Sequence, residues 1–70
     1  MRYREVARKL ISLGCRELPR TGDGSHRKWL NPATDRITVV PDWGGDDLKV
    51  GTIRGAIRQL GLSGDEFKQA

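Results

Sequence analysis

Two stretches of helical period bracket a middle that turn residues cut into strand-length pieces, and this order restricts the chain to few folds. Tyr3, Val6, Leu10 and Leu13 recur at helical spacing, with Ala7 and Ile11 widening the apolar stripe. Glu5 lies three and four residues before Arg8 and Lys9, which supports a solvated outer face. Gly14 stands where a left-handed C-terminal cap is favoured, so the spacing predicts a helix over residues 3–13. Ile53, Ala56, Ile57 and Leu60 restore the same period ahead of Gly61, with Thr52 read as the N-cap of that helix. Ser63-Gly64-Asp65-Glu66 carries a capping-box pattern, which sets Phe67 on a last short turn folded back on the core.

The middle reads differently. Cys15–Arg20 is expected as a brief edge strand, because Pro19 inside a central strand would remove a ladder hydrogen bond. Thr21-Gly22-Asp23-Gly24-Ser25 is turn chemistry, His26–Leu30 a strand, and Asn31–Asp35 a second turn opened by Asn-Pro. Arg36–Val40 is β-branched almost throughout and is ended by Pro41. Asp42–Asp47, with adjacent glycines and three acids, is a loop. Strands joined by such short turns form an antiparallel meander. The expectation is one α+β domain over residues 1–70, with two helices on one face of a three-stranded antiparallel sheet and a helical tail. The other face is left open to solvent or to a partner.

Composition removes several classes of function. Leu, Ile, Val and Phe make 16 of the 70 residues, enough for a folded domain. No apolar run approaches the roughly 20 residues of a membrane span, and the N-terminus has no apolar stretch like a signal peptide's. Cys15 is alone, so no internal disulfide forms, and one His with one Cys does not build a zinc site unaided. The reading is a cytoplasmic protein with no cofactor, no metal and no membrane partner. Its net charge of +4 is uneven: residues 1–30 carry eight Lys/Arg against three acids, and residues 31–50 two against four. A basic N-terminal half suggests a polyanion as partner; a merely solvated face is the plainer explanation.

His26 is the chain's one histidine and its one side chain with an unperturbed pKa near neutrality. It follows Gly24, whose missing Cβ admits close approach of another backbone or a phosphate, and Ser25, which adds a hydroxyl. Arg20, Arg27 and Lys28 put three cations nearby, and Arg54 and Arg58, one helical turn apart, are further candidates for phosphate contact. A proton-transfer group among phosphate-binding cations is what RNA transesterification needs. The 2′-hydroxyl must lose a proton, the 5′-oxygen must gain one, and the phosphorane charge must be neutralised. The competing reading is an exposed cross-strand histidine with no chemistry. Asp42, Asp46 and Asp47 could hold Mg²⁺ or simply be solvated. Cys15 and Trp29 read as core, and Trp43 as an exposed loop residue that could stack on a base.

Taken together, these pieces resemble the HicA toxin family: the helix ending in glycine, Arg20 ahead of Gly24-Ser25-His26, Asn31-Pro32, and Ile37-Thr38-Val39-Val40-Pro41. Lys49-Val50-Gly51-Thr52-Ile53-Arg54, then Ile57, Gly61-Leu62-Ser63 and Phe67, continue the likeness from about Arg4 to Phe67. The resemblance implies a double-stranded-RNA-binding-domain-like α-β-β-β-α fold. It also implies an mRNA interferase of a type II toxin–antitoxin system, with the catalytic histidine at His26 and the preceding glycine at Gly24. The implied partners are mRNA and a HicB-type antitoxin that covers the site, with DNA met only through the antitoxin complex. Thr21-Gly22-Asp23 lengthens the turn relative to the family, Lys28 stands in place of an apolar residue, and Asp42-Trp43 replace a histidine after the proline. The alternative is a catalytically weak or inactive RNA-binding or antitoxin-binding module of the same fold.

Overall fold

The computed structural model describes residues 1–20 and 24–70; Thr21, Gly22 and Asp23 of the predicted turn lie outside the described residues. Helix α1, Tyr3–Ser12, buries Tyr3, Val6 and Leu10, the residues that the period sets on one face. Gly14 takes φ +89°, and the Cys15 N–H donates to the Leu10 carbonyl at 2.9 Å while Gly14 N–H donates to Ile11 at 3.0 Å. This is a Schellman closure, which needs a residue without a Cβ at the turn. Helix α2, Val50–Gln59, ends the same way: Gly61 has φ +72°, and the Leu62 N–H returns to the Ile57 carbonyl at 3.0 Å.

Between the helices run β1 (Arg16–Glu17), β2 (His26–Asn31) and β3 (Arg36–Pro41), in the spatial order β1-β2-β3 with antiparallel neighbours. The ladder of β1 on β2 continues one bond further, Leu18 N–H to the Lys28 carbonyl at 2.8 Å, and stops before Pro19. The predicted meander is therefore present, and its edge strand is short where proline forbids more. Arg27, Trp29 and Asn31 of β2, with Thr38 and Val40 of β3, turn toward the helices, and Trp29, Asn31, Thr38 and Val40 are buried. Their neighbours His26 and Lys28, Ile37 and Val39 lie on the other face and are exposed.

The core joins Val6 and Leu10 of α1, Trp29, Val40, and Ile53, Ala56, Ile57 and Leu60 of the second helical segment. Asn31 is buried with both ends of its amide satisfied. Its Nδ2 donates to the Leu60 carbonyl at 2.8 Å and its Oδ1 accepts from Ala33 N–H at 3.1 Å. It thus uses one of the carbonyls left over at the end of α2 to tie the β2–β3 turn to that helix. Thr52 is not the N-cap. The helix begins at Val50 with Lys49 as cap, because Asp47 bridges Arg2, and the buried Leu48 donates to the Met1 carbonyl at 2.8 Å. The chain is thereby pinned two residues ahead of α2. Helix α3, Gly64–Gln69, has the expected capping box: Ser63 Oγ accepts from Glu66 N–H at 3.1 Å, and Glu66 Oε2 from Ser63 N–H at 2.7 Å. Phe67 returns to the core, and Lys9 Nζ donates to the carbonyls of Phe67, Lys68 and Ala70, a cation at the negative end of the helix. The architecture is the α+β, double-stranded-RNA-binding-domain-like fold, extended by α3. Among the described residues, no helix is long and apolar enough to cross a membrane.

Candidate nucleic-acid site

His26 opens β2 opposite Pro41. The ladder extends one pair past it, since the Asp42 N–H donates to the Ser25 carbonyl. Antiparallel pairs alternate between bonded and non-bonded, so Ser25–Asp42 is a bonded pair and His26–Pro41 a non-bonded one. The N–H that Pro41 lacks falls where no ladder bond is needed. Gly24, at φ +133°, holds a conformation that L side chains rarely adopt, and a Cβ there would meet nothing within 4 Å. Backbone conformation is thus what favours glycine at this position.

His26 and Lys28 are both exposed on the open sheet face, near the end where Gly24 enters the strand; Ser25, opposite Asp42 and two residues before Arg27, falls by alternation on the helix side and is half-buried. Arg20 is exposed on the segment after β1. Ile37 and Val39 lie on the same face, 54% and 42% exposed, with Val39 directly opposite Lys28.

Arg27 does not join this group. Strand alternation turns it to the helix side, where its side chain is only 14% exposed. One guanidinium nitrogen donates to Glu17 Oε2 at 3.3 Å and the other to Asp42 Oδ2 at 2.9 Å, and the group sits 5.8 Å from the Tyr3 ring centroid. Two carboxylates already occupy the fork, Glu17 and Asp42. Reading Arg27-Lys28 as one basic patch overlooks the period of two. Arg54 and Arg58 are also elsewhere. They line a groove with Ile57, Gly61, Leu62 and Gly64 between α2 and α3, in the helix layer rather than on the open face with His26.

The network around Arg27 was not visible in the sequence except through one signal. Arg27 precedes Trp29 by two, so a buried Trp29 implies an inward-facing cation in need of partners. Glu17 Oε1 accepts from the Tyr3 hydroxyl at 2.9 Å, and that hydroxyl accepts from Trp29 Nε1 at 3.1 Å. Burial, and next the hydrogen bond to Glu17, push the Tyr3 phenol up to about 12. Burial likewise raises the Cys15 thiol, which disfavours a thiolate and agrees with a core role.

The loop acids are committed separately. Asp42 accepts from Arg27 and from Gly44 N–H at 3.0 Å, and Asp47 pairs with the Met1 ammonium at 3.2 Å. No group of three His, Cys, Asp or Glu that could hold a metal ion occurs among the described residues. Trp29 is core and Trp43 is 40% exposed on its loop. Among the described residues, this end of the open face thus holds one imidazole and one ammonium near Gly24, groups able to move a proton and to offset the charge of an anion.

No curated protein and no solved structure gives a significant match to this chain. The family model described as HicA toxin of bacterial toxin–antitoxin matches residues 3–62, which span α1 to the end of α2 and include His26, Lys28 and the glycine turn. The chain belongs to the HicA toxin family of bacterial toxin–antitoxin systems.

Proposed function

We propose that this toxin is a metal-independent endoribonuclease acting on mRNA in the cytoplasm, with His26 as its general acid or base. The observation that carries the reading is the chain's one imidazole standing exposed behind Gly24, with the Lys28 ammonium on the same sheet face. In the reaction the RNA's own 2′-oxygen bonds to the adjacent phosphorus and the bond to the 5′-oxygen breaks. The products are a 2′,3′-cyclic phosphate and a 5′-hydroxyl. Neutral His26 accepts the 2′-hydroxyl proton while water protonates the leaving 5′-oxygen, or protonated His26 gives its proton to that oxygen while water takes the 2′-hydroxyl proton, and Lys28 offsets charge on the phosphorane. The Gly24–Ser25 backbone lines the approach of the phosphate, and Arg20 extends the cationic rim. The antitoxin is a HicB-type protein that brings carboxylates to His26 and Lys28 and covers exposed Ile37 and Val39 beside them. Complementary charge makes its association fast and salt-sensitive.

The test is cleavage of matched RNA and DNA strands in excess EDTA, with the product ends identified by mass. RNA cut to a 2′,3′-cyclic phosphate, with DNA intact, is expected, because DNA lacks the nucleophile. Loss of activity on chelation, or cutting of DNA, refutes the reading and turns attention to Asp42, Asp46 and Asp47. RNA binding without cleavage identifies a binding module instead.

A further inference from the structure

We infer that Arg27 is a positioning residue for His26, acting through Asp42; the inference rests on the catalytic reading of His26 given above. His26 makes no ladder bond to β3, because it occupies a non-bonded pair with Pro41. Its own N–H and C=O point to the β1 side, where among the described residues the ladder ends with the Leu18–Lys28 bond. The direction of the imidazole is therefore set by the two rungs that flank it on the β3 side, Arg27–Val40 and Ser25–Asp42.

The second of these rungs is the vulnerable one. It lies past the end of β3, at the head of the loop that contains Gly44 and Gly45, where pairing frays first. Two bonds hold Asp42 in place: Oδ2 accepts from Arg27 at 2.9 Å and Oδ1 from Gly44 N–H at 3.0 Å. Arg27 is anchored in turn by Glu17 at 3.3 Å, and Glu17 by the Tyr3 hydroxyl at 2.9 Å. A continuous chain of contacts thus runs from the first turn of α1, across β1 and β2, to the rung beside His26.

Packing alone does not account for an arginine here. Its Nε is buried with no hydrogen-bond partner among the described residues, and a largely buried cation loses hydration that an unbranched apolar side chain of similar length would not lose. What the guanidinium adds is a fork that reaches two carboxylates on different segments at once.

The experiment compares the wild type with Arg27→Met, Arg27→Lys and Asp42→Asn, reading amide hydrogen exchange at Asp42 together with kcat and KM on RNA. Arg27→Met is expected to speed Asp42 exchange by about tenfold or more, as local opening does, with Leu10 and Leu60 amides unchanged. kcat is expected to fall by about tenfold, in line with the rate lost when a reacting group is slightly misplaced, with KM held. Arg27→Lys restores part of both effects, and Asp42→Asn shifts both in the direction of Arg27→Met while sparing the Arg27–Glu17 pair. If Arg27→Met does not fold, Asp42→Asn and Arg27→Lys carry the comparison. An Asp42 amide as protected in the folded variants as in the wild type overturns the inference. So does a raised KM with the salt slope of RNA binding reduced by about 0.7, which marks a direct phosphate ligand. If the wild type cleaves no RNA, the catalytic reading of His26 fails, and with it the positioning role. Asp42 exchange then reports separately whether Arg27 holds the rung.

Discussion

Replacing His26 by alanine separates chemistry from folding unusually well. The residue is exposed, stands opposite Pro41, and its side chain has no hydrogen-bond partner among the described residues. Truncation leaves no cavity and strands no buried polar atom, so the stability change stays within about 0.5 kcal/mol. For a domain of this size that is roughly 2–4 °C in Tm. Loss of a general acid or base slows the reaction by about 10²–10⁴-fold, or ~2.7–5.4 kcal/mol on the barrier. The kinetic effect therefore exceeds the thermal one by several-fold in free energy. Single-turnover cleavage of an end-labelled RNA in EDTA, run beside circular-dichroism melts, reads both. A folded His26→Ala protein that cleaves as fast as the wild type refutes the catalytic assignment. Lost cleavage accompanied by a drop in Tm far beyond 4 °C refutes the structural premise that this position is free of packing.

Lys28→Ala should weaken RNA binding alike for all sequences and lower the salt slope by about 0.7, measured by titration over a salt series. Tyr3→Phe should flatten the alkaline limb of the stability profile. The native phenol is pushed up to about 12 from 10, so its contribution is complete below pH 10 and is lost as pH rises toward 12. The loss is at most about 3 kcal/mol, and urea melts of both proteins from pH 9 to 12 give the difference. Binding of the antitoxin should protect amides 24–29 from hydrogen exchange and slow in its association as salt rises. A complex that leaves those amides as exchangeable as in the free toxin rules out inhibition by occlusion.

Elements set by contacts within a few residues were legible in the chain itself. The apolar spacing of Tyr3, Val6 and Leu10 marks one helix, and glycines 14 and 61 each close a helix by a bond that spans five residues. The Ser63–Glu66 box and the β-branched run before Pro41 are equally local. Even His26 could be singled out, because an imidazole beside a glycine turn and cations is a chemical pattern before it is a spatial one. Thr52 misled for the complementary reason: what starts α2 is the pairing of Asp47 and Leu48 with the N-terminus, nearly 50 residues away in the chain.

Charge along the sequence did not reveal how the cations divide. The amino-acid order puts Arg27 beside Lys28 and Arg54 one turn from Arg58, and from this alone all four pass as one basic surface. Tertiary structure assigns Lys28 to the open face, Arg27 to a buried fork between Glu17 and Asp42, and the helix pair to a separate groove. Helix periods and caps are decided by neighbours a turn away, so sequence alone determines them. Which face of a strand is buried depends on where a large side chain such as Trp29 finds its partners, and those come from α1 and α2. Only the packed molecule sets that phase, and with it which charges stay on the open face and which are paired within the fold.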